Sequence, residues 1–147
     1  LSPAAEGRVS SGTTAAGLGA EQVLGSAEAL HQAGDLRRAE HLYREALRLA
    51  PRHPRALGML GVIGCQSGNP EAGVALLREA CELAPDDAEL ANNLGRALLA
   101  TGDARAALAP LETAVRLRPD FAEAHLNLGN ALLAEQQGAA AERHYRQ

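Results

Sequence analysis

Three prolines, Pro51, Pro85 and Pro119, stand 34 residues apart. Gly34, Gly68 and Gly102 keep that spacing, and so do Gly61, Gly95 and Gly129, and Ala46, Ala80 and Ala114. A fixed period of this length marks an array of one repeated supersecondary unit. Such a unit cannot cover its apolar face alone, so it stacks on its neighbours. The product is an extended surface rather than an enclosed active site. The period therefore points to a solenoid and to a binding scaffold before anything names what is bound.

Within each period the pattern is that of two helices. Glu21 to about Gln32 and Leu36 to Leu49 form the first pair. Arg55–Ser67 and Glu71–Leu83 form the second, and Ala88–Thr101 and Ala104–Leu117 the third. Ala39, Leu42, Tyr43, Ala46, Leu47 and Leu49 recur at helical spacing, with Arg37, Arg38, Glu40, Arg44, Glu45 and Arg48 on the opposite face. Gly34-Asp35, Gly68-Asn69-Pro70 and Gly102-Asp103 mark the turns. Glycine accepts the left-handed conformation that ends a helix, and Asp or Asn caps the next one. Pro51, Pro85 and Pro119 stop the second helices. Pro110, inside a second helix, is expected to bend it.

The expected organisation is a flexible leader over 1–19, rich in Ser, Gly, Ala and Thr, then four repeats at 20–53, 54–87, 88–121 and 122–147. The fourth pairs Ala122–Gln136 with a helix from about Gly138. It departs from the pattern, because Gln136 stands where the others have glycine. The chain stops inside this helical pattern, so we expect a piece of a longer protein.

Composition narrows the function. The chain is 46% hydrophobic with 2% aromatics and no Trp, which suits closely packed helices of Leu and Ala. Net charge is −4 and all fourteen basic residues are arginine. A nucleic-acid binder would need a basic stripe and stacking aromatics, so none is expected as a partner. Arginine without lysine suits a GC-rich bacterial genome. No apolar run reaches the roughly 18 residues of a membrane span, and no signal peptide pattern opens the chain. We expect a cytoplasmic protein with no membrane partner. Cys65 and Cys81 lack metal-type spacing and are expected as buried free thiols.

No catalytic constellation stands out. His31, His41, His53, His125 and His144 are scattered over the repeats. Asp86, Asp87 and Asp103 precede helices and read as caps. No catalytic residue, cofactor or metal site is expected. Gly58 and Gly64 exceed the repeat pattern in their helix. They are expected to mark a soft point, or a place where a partner backbone approaches, so that Gly58→Ala with Gly64→Ala would raise stability.

The motifs resemble the tetratricopeptide repeat family. Leu60-Gly61, Leu94-Gly95 and Leu128-Gly129 supply its Leu-Gly pair, where the first repeat has Ser26-Ala27. Ala39, Gly73, Ala107 and Ala141 supply the small residue of the second helix. Tyr43, Leu77, Leu111 and Tyr145 follow four later. The family Trp is replaced by Val23, Leu57, Ala91 and His125. The resemblance covers about residues 20–147 and implies a right-handed superhelix. First helices would line its concave groove and second helices, with Arg37, Arg38, Arg48, Arg105 and Arg116, its convex side. The third and fourth repeats are also similar to those of O-linked N-acetylglucosamine transferases, in which an asparagine ladder holds substrate chains. Asn93 and Asn127 match that ladder, and Gly25 and Met59 break it in the first two repeats. A clamp for C-terminal carboxylates does not match, since Leu24, Glu28, Met59, Glu89 and Asn93 hold its places.

The expected function is a protein–protein interaction scaffold binding a peptide or partner segment, with Asn93, Arg96, Asn127 and Asn130 as contacts and Asn92 beside them in the same helix. The rivals are a substrate-recruiting region of a larger bacterial glycosyltransferase-like enzyme, and self-association through the unfinished fourth repeat.

Overall fold

The computed structural model describes residues 15–145, with side chains through residue 139. Among the described residues there are seven helices and no strand. They are α1 (Ala15–Gln32), α2 (Leu36–Leu49), α3 (Pro54–Gln66), α4 (Pro70–Leu83), α5 (Ala88–Ala100), α6 (Ala104–Leu117) and α7 (Ala122–Tyr145). The fold is the all-α, superhelical solenoid of helix pairs that the period implies.

The three turn glycines do one job. Gly34, Gly68 and Gly102 have φ of 84°, 86° and 85°. This left-handed step lets the next amide reach back over the helix end. Asp35 N donates to Leu30 O at 2.9 Å, Asn69 N to Gly64 O at 2.8 Å and Asp103 N to Leu98 O at 3.0 Å. The chain then reverses at once. Asp35 and Asp103 accept from Arg38 N and Ala106 N and so start α2 and α6, while Asn69 makes no such bond and Pro70 opens α4. Asp87 caps α5 through both Glu89 N and Leu90 N, and His53 Nδ1 accepts from Ala56 N at the start of α3. Asp86 makes no cap. Pro110 is accommodated within an α6 that runs unbroken from Ala104 to Leu117.

The fourth repeat corrects one expectation. A second helix was to fold back from about Gly138, but α7 runs on from Ala122 to Tyr145. The physical reason is local. With Gln136 in place of a turn glycine, nothing favours the left-handed step, and the Ala, Leu, Glu and Gln around it are strong helix formers. The described chain is thus three helix pairs and one long helix. The roles given to Ala141 and Tyr145 lie outside the described side chains. The leader corrects another: most of 1–19 lies outside the described residues, but from Ala15 the chain is already helical.

Small residues bring the helices of each pair together. A Cβ at Gly61 would sit 2.7 Å from the Gly73 carbonyl oxygen, and one at Gly73 would sit 2.5 Å from the Gly61 oxygen. At Gly95 an added Cβ would collide with the Leu111 side chain. The core between pairs is aliphatic. Leu24, Ala56, Leu60 and Ile63 form one cluster with Tyr43, and Val62, Leu77, Leu94, Leu98 and Leu111 another.

The two extra glycines are occupied by the protein itself, which revises their reading as a soft point. An added Cβ at Gly58 would collide with Leu90 of the next repeat. At Gly64 it would lie 3.3 Å from the Gly73 Cα. Both are places of close approach, but the approaching atoms belong to α5 and α4.

Like helices pack unequally across repeats. α3 touches α5 and α5 touches α7, whereas no comparably close packing joins α1 to α3, or α2, α4 and α6 to one another, among the described residues. From α3 onward the layer of first helices is therefore the tighter, inner one, and it forms the floor of the groove.

Candidate functional site

The inner layer holds two clefts that share one side chain. The first, about 320 Å³, lies between α1, α3 and α5. Glu28, Tyr43, Arg55, Met59, Asp87, Glu89, Leu90 and Asn93 are among its walls. The second, about 240 Å³, is lined by Val62, Cys65, Leu77, Arg96, Ala97 and Ala100, and again by Asn93. Asn93 is the partition between them, half-buried in α5. Its Oδ1 accepts from Arg96 Nη2 at 3.4 Å, and its Nδ2 has no hydrogen-bond partner among the described residues.

Tyr43 forms part of the first wall. Its hydroxyl lies 3.4 Å from His31 Nδ1, and His31 Nε2 is 3.2 Å from Gln66 Oε1, so a polar chain runs from the first repeat to the second. Burial, with Glu28 nearby, pushes the Tyr43 pKa up to about 12, so the phenol remains neutral. Cys65 and Cys81 are free and half-buried. Burial raises both thiols, Cys81 to about 11 with a further push from Asp87. Neither suits a nucleophile at neutral pH.

Ion pairs follow the repeat. Glu28 in α1 meets Arg55 Nε in α3 at 2.6 Å, and Arg96 in α5 meets Glu123 in α7 at 3.3 Å. Each pair joins one place in a first helix to one place in the next, with the signs reversed. The middle junction lacks it, because Val62 holds the first of these places. Glu89 is left to a longer 3.5 Å contact with Arg118, whose guanidinium stacks 3.7 Å from the Phe121 ring centre. Arg118 Nε is buried and has no partner among the described residues.

The four expected contact residues separate. Asn93 and Arg96 line the clefts. Asn127 and Asn130 line neither, and Asn130 is exposed on α7. The ladder is not the simple 34-residue stack that the phase suggests. Asn127 Nδ2 donates to Oδ1 of Asn92 at 2.9 Å, while Asn92 Nδ2 donates to Glu123 Oε1 at 3.1 Å. Asn92, expected in the groove, is 1% exposed and faces the junction with α7. The signal for this was in the phase. Leu24, Gly58, Asn92 and Leu126 share one place in the repeat, and the first two are junction residues. Glu123, which also ties down Arg96, was missed because a lone acidic residue in a first turn reads as a dipole partner.

At the end of the array that shared place is open. Leu126 is 64% exposed, where Leu24 and Asn92 are 1%. Leu132 and Leu133 are exposed beside it, and an added Cβ at Gly129 would meet nothing within 4 Å.

No described helix is long and apolar enough to cross a membrane. Among the described residues, no cluster of His, Cys, Asp and Glu could hold a metal ion. The solenoid thus carries a mixed polar and apolar cleft beside a mainly apolar one.

Comparison with known proteins agrees. Family profiles described as tetratricopeptide repeat and TPR repeat match residues 24–88 and 95–136. An O-GlcNAc transferase mutant from Thermobaculum terrenum superposes with a TM-score of 0.77 at 33% identity, over 82% of this chain and 23% of that one. The chain thus spans under a quarter of that transferase's length. The Sgt2 TPR domain from Aspergillus fumigatus matches with a TM-score of 0.74 at 19% identity, over 85% of this chain and 82% of that one. The first TPR of Spaghetti (RPAP3), bound to the HSP90 peptide SRMEEVD, matches at 0.74 and 16%, over 80% and 93%. The last two likenesses show the fold alone. No curated protein matches the chain. The chain belongs to the tetratricopeptide repeat family, and its repeats are similar to those of an O-GlcNAc transferase. Repeats of this family are protein-interaction modules.

Proposed function

We propose that the chain binds an extended peptide segment of a partner protein along its inner groove. The observation that carries this is Asn93, half-buried between two clefts with its amide donor unused by the protein. A side-chain amide offers both a donor and an acceptor, the pair that an extended backbone presents. Arg96 walls the second cleft. Asn127 and Asn130 continue the polar line onto α7, with Asn127 sharing its amide with Asn92. One solved structure of the same fold, the first TPR of Spaghetti, carries a bound peptide, in keeping with this reading. Arginine without lysine and two free thiols support a bacterial cytoplasmic setting.

Selection from a random peptide display library tests the reading. Peptides selected on the chain should lose at least about tenfold in affinity, or about 1.4 kcal/mol, to Asn93→Trp, which fills the partition. They should bind Arg78→Ala, altered on the exposed side of α4, as they bind the parent. Peptides indifferent to Asn93→Trp contradict the groove.

A second reading is favoured by the 33% identity to the transferase repeats. In it this chain recruits protein substrates to a catalytic domain elsewhere in a longer protein. Sugar transfer by the full-length product, lost when these repeats are deleted, would support it; transfer unaffected by the deletion would not. Self-association is the third, motivated by exposed Leu126, Leu132 and Leu133. Light scattering tests it, and a strict monomer at all concentrations removes it.

A further inference from the structure

We infer that the groove selects a segment with a basic side chain followed two residues later by an aliphatic one. This rests on the groove reading above and names the chemistry of its ligand. The two clefts differ. The first has three carboxylates, from Glu28, Asp87 and Glu89, against the one guanidinium of Arg55. Arg55 is already neutralised by Glu28 at 2.6 Å. Asp87 uses one oxygen, Oδ1, for both capping bonds. Glu89 is 72% exposed and meets Arg118 only at 3.5 Å, because Val62 stands where the other junctions place a charged partner. Two carboxylates thus face the first cleft with acceptor oxygens to spare. Between them and Asn93, the half-buried Met59 side chain offers an apolar bed. A long basic side chain fits both features, laying its methylenes on the bed and its charge at the rim.

The second cleft differs in kind. Val62, Leu77, Ala97 and Ala100 make it mainly aliphatic, Arg96 on its wall is already paired with Glu123, and its volume of about 240 Å³ suits a Val- or Leu-sized side chain. In an extended chain, residues i and i+2 point the same way, about 7 Å apart, and the intervening peptide group faces the partition. Asn93 lines both clefts, and its Nδ2, unused by the described residues, is available to donate to that peptide's carbonyl. The charge excess in the first cleft selects against an acidic segment, since like charges brought together there are costly. The ligand class is therefore opposite in net charge to the acidic peptide SRMEEVD of the Spaghetti complex.

The test uses the 147-residue chain and three blocked peptides in NMR titrations. The first is Gly-Ser-Arg-Ser-Val-Ser-Gly. The second carries Glu for Arg, and the third carries Asp for Val. The first should shift the amides of Met59, Glu89, Asn93 and Ala97, and should bind about tenfold tighter than either variant. Its affinity should fall at least about threefold between about 50 and about 300 mM salt, because the attraction is between partly exposed charges. Glu89→Lys, checked for fold by circular dichroism, should remove the preference for Arg over Glu. Equal affinities for the Arg and Glu peptides, with the same groove shifts, overturn the inference and leave groove binding standing. Shifts confined to α2, α4 and α6, or no shifts with any peptide, overturn both.

Discussion

Two junctions in this array are built at the same place in the repeat and in opposite ways. Where the second repeat meets the third, Gly58 leaves a hole and Leu90 fills it, beside Leu57 and Ala80. Where the third meets the α7 helix, Asn92 stands one period later, buried and bonded to Glu123 and Asn127. The first junction is held by apolar burial and shape. The second is held by bonds that need particular partners in particular positions. Burial adapts to small shifts between repeats, whereas a buried amide is satisfied in one arrangement only. The difference teaches that the period fixes where repeats touch and leaves the chemistry of each contact free. Function can then be tuned repeat by repeat, and Arg96 and Asn93 are oriented by the polar junction through Glu123.

The largest expected effect breaks the apolar junction. Leu90→Ala empties the hole over Gly58 and should cost about 2–5 kcal/mol, read as a lower midpoint in urea unfolding. A cost under about 1 kcal/mol would mean that the repeats slide to close the gap.

The polar junction should lose less. Asn92→Ala removes the partner of half-buried Asn127 and one of the two bonds to Glu123, and is expected to cost about 1–3 kcal/mol. Replacing both Asn92 and Asn127 by Leu should recover part of that loss, since exchanging both partners for apolar groups is often near neutral. A double variant worse than the sum of the singles would show the network to be worth more than its bonds.

A smaller effect concerns the glycines. Gly58→Ala with Gly64→Ala gains about 2 kcal/mol of helix propensity in total but forces Leu90 and the Gly73 backbone to move. Because these neighbours are packed, we expect a net loss of about 1 kcal/mol in thermal or urea unfolding, the reverse of what propensity alone predicts. A gain would return this helix pair to the status of a soft point.

A separate effect is in pH. Cys81 packs against the apolar junction, where burial and Asp87 raise its pKa from 9.0 to about 11. Tyr43, in the first core cluster, rises from 10.0 to about 12. In both the neutral form is favoured on folding, so the stability is fully present below pH 9. It is lost as pH rises through about 9–11 for Cys81 and 10–12 for Tyr43. Urea midpoints across that window should fall, and Cys81→Ala should remove the earlier part of the fall.

Much of this fold was legible because its signals are local. Gly34, Gly68 and Gly102 announce left-handed turns, and Asp35, Asp87 and Asp103 announce caps. The same logic explains the run-on of α7, since Gln136 breaks the one signal that makes the chain reverse. The site was less legible because it depends on which side of a helix faces a neighbour. Asn92 and Asn93 are adjacent in sequence, yet one is sealed in a junction and the other parts two clefts. Only phase, which groups Asn92 with Leu24 and Gly58, separates them. Cleft chemistry was not legible, because Glu28 in α1 meets Asp87 and Glu89 at the start of α5 only in space.

The central claim is that ligands occupy the inner groove at Asn93. The most direct measurement is NMR shift mapping of the ¹⁵N-labelled chain with a display-selected peptide. The account predicts the largest shifts in α3 and α5, around Met59, Asn93 and Ala97, and their loss in Asn93→Trp. Shifts concentrated in α2, α4 and α6, or on the exposed Leu126–Leu133 face of α7, would contradict it.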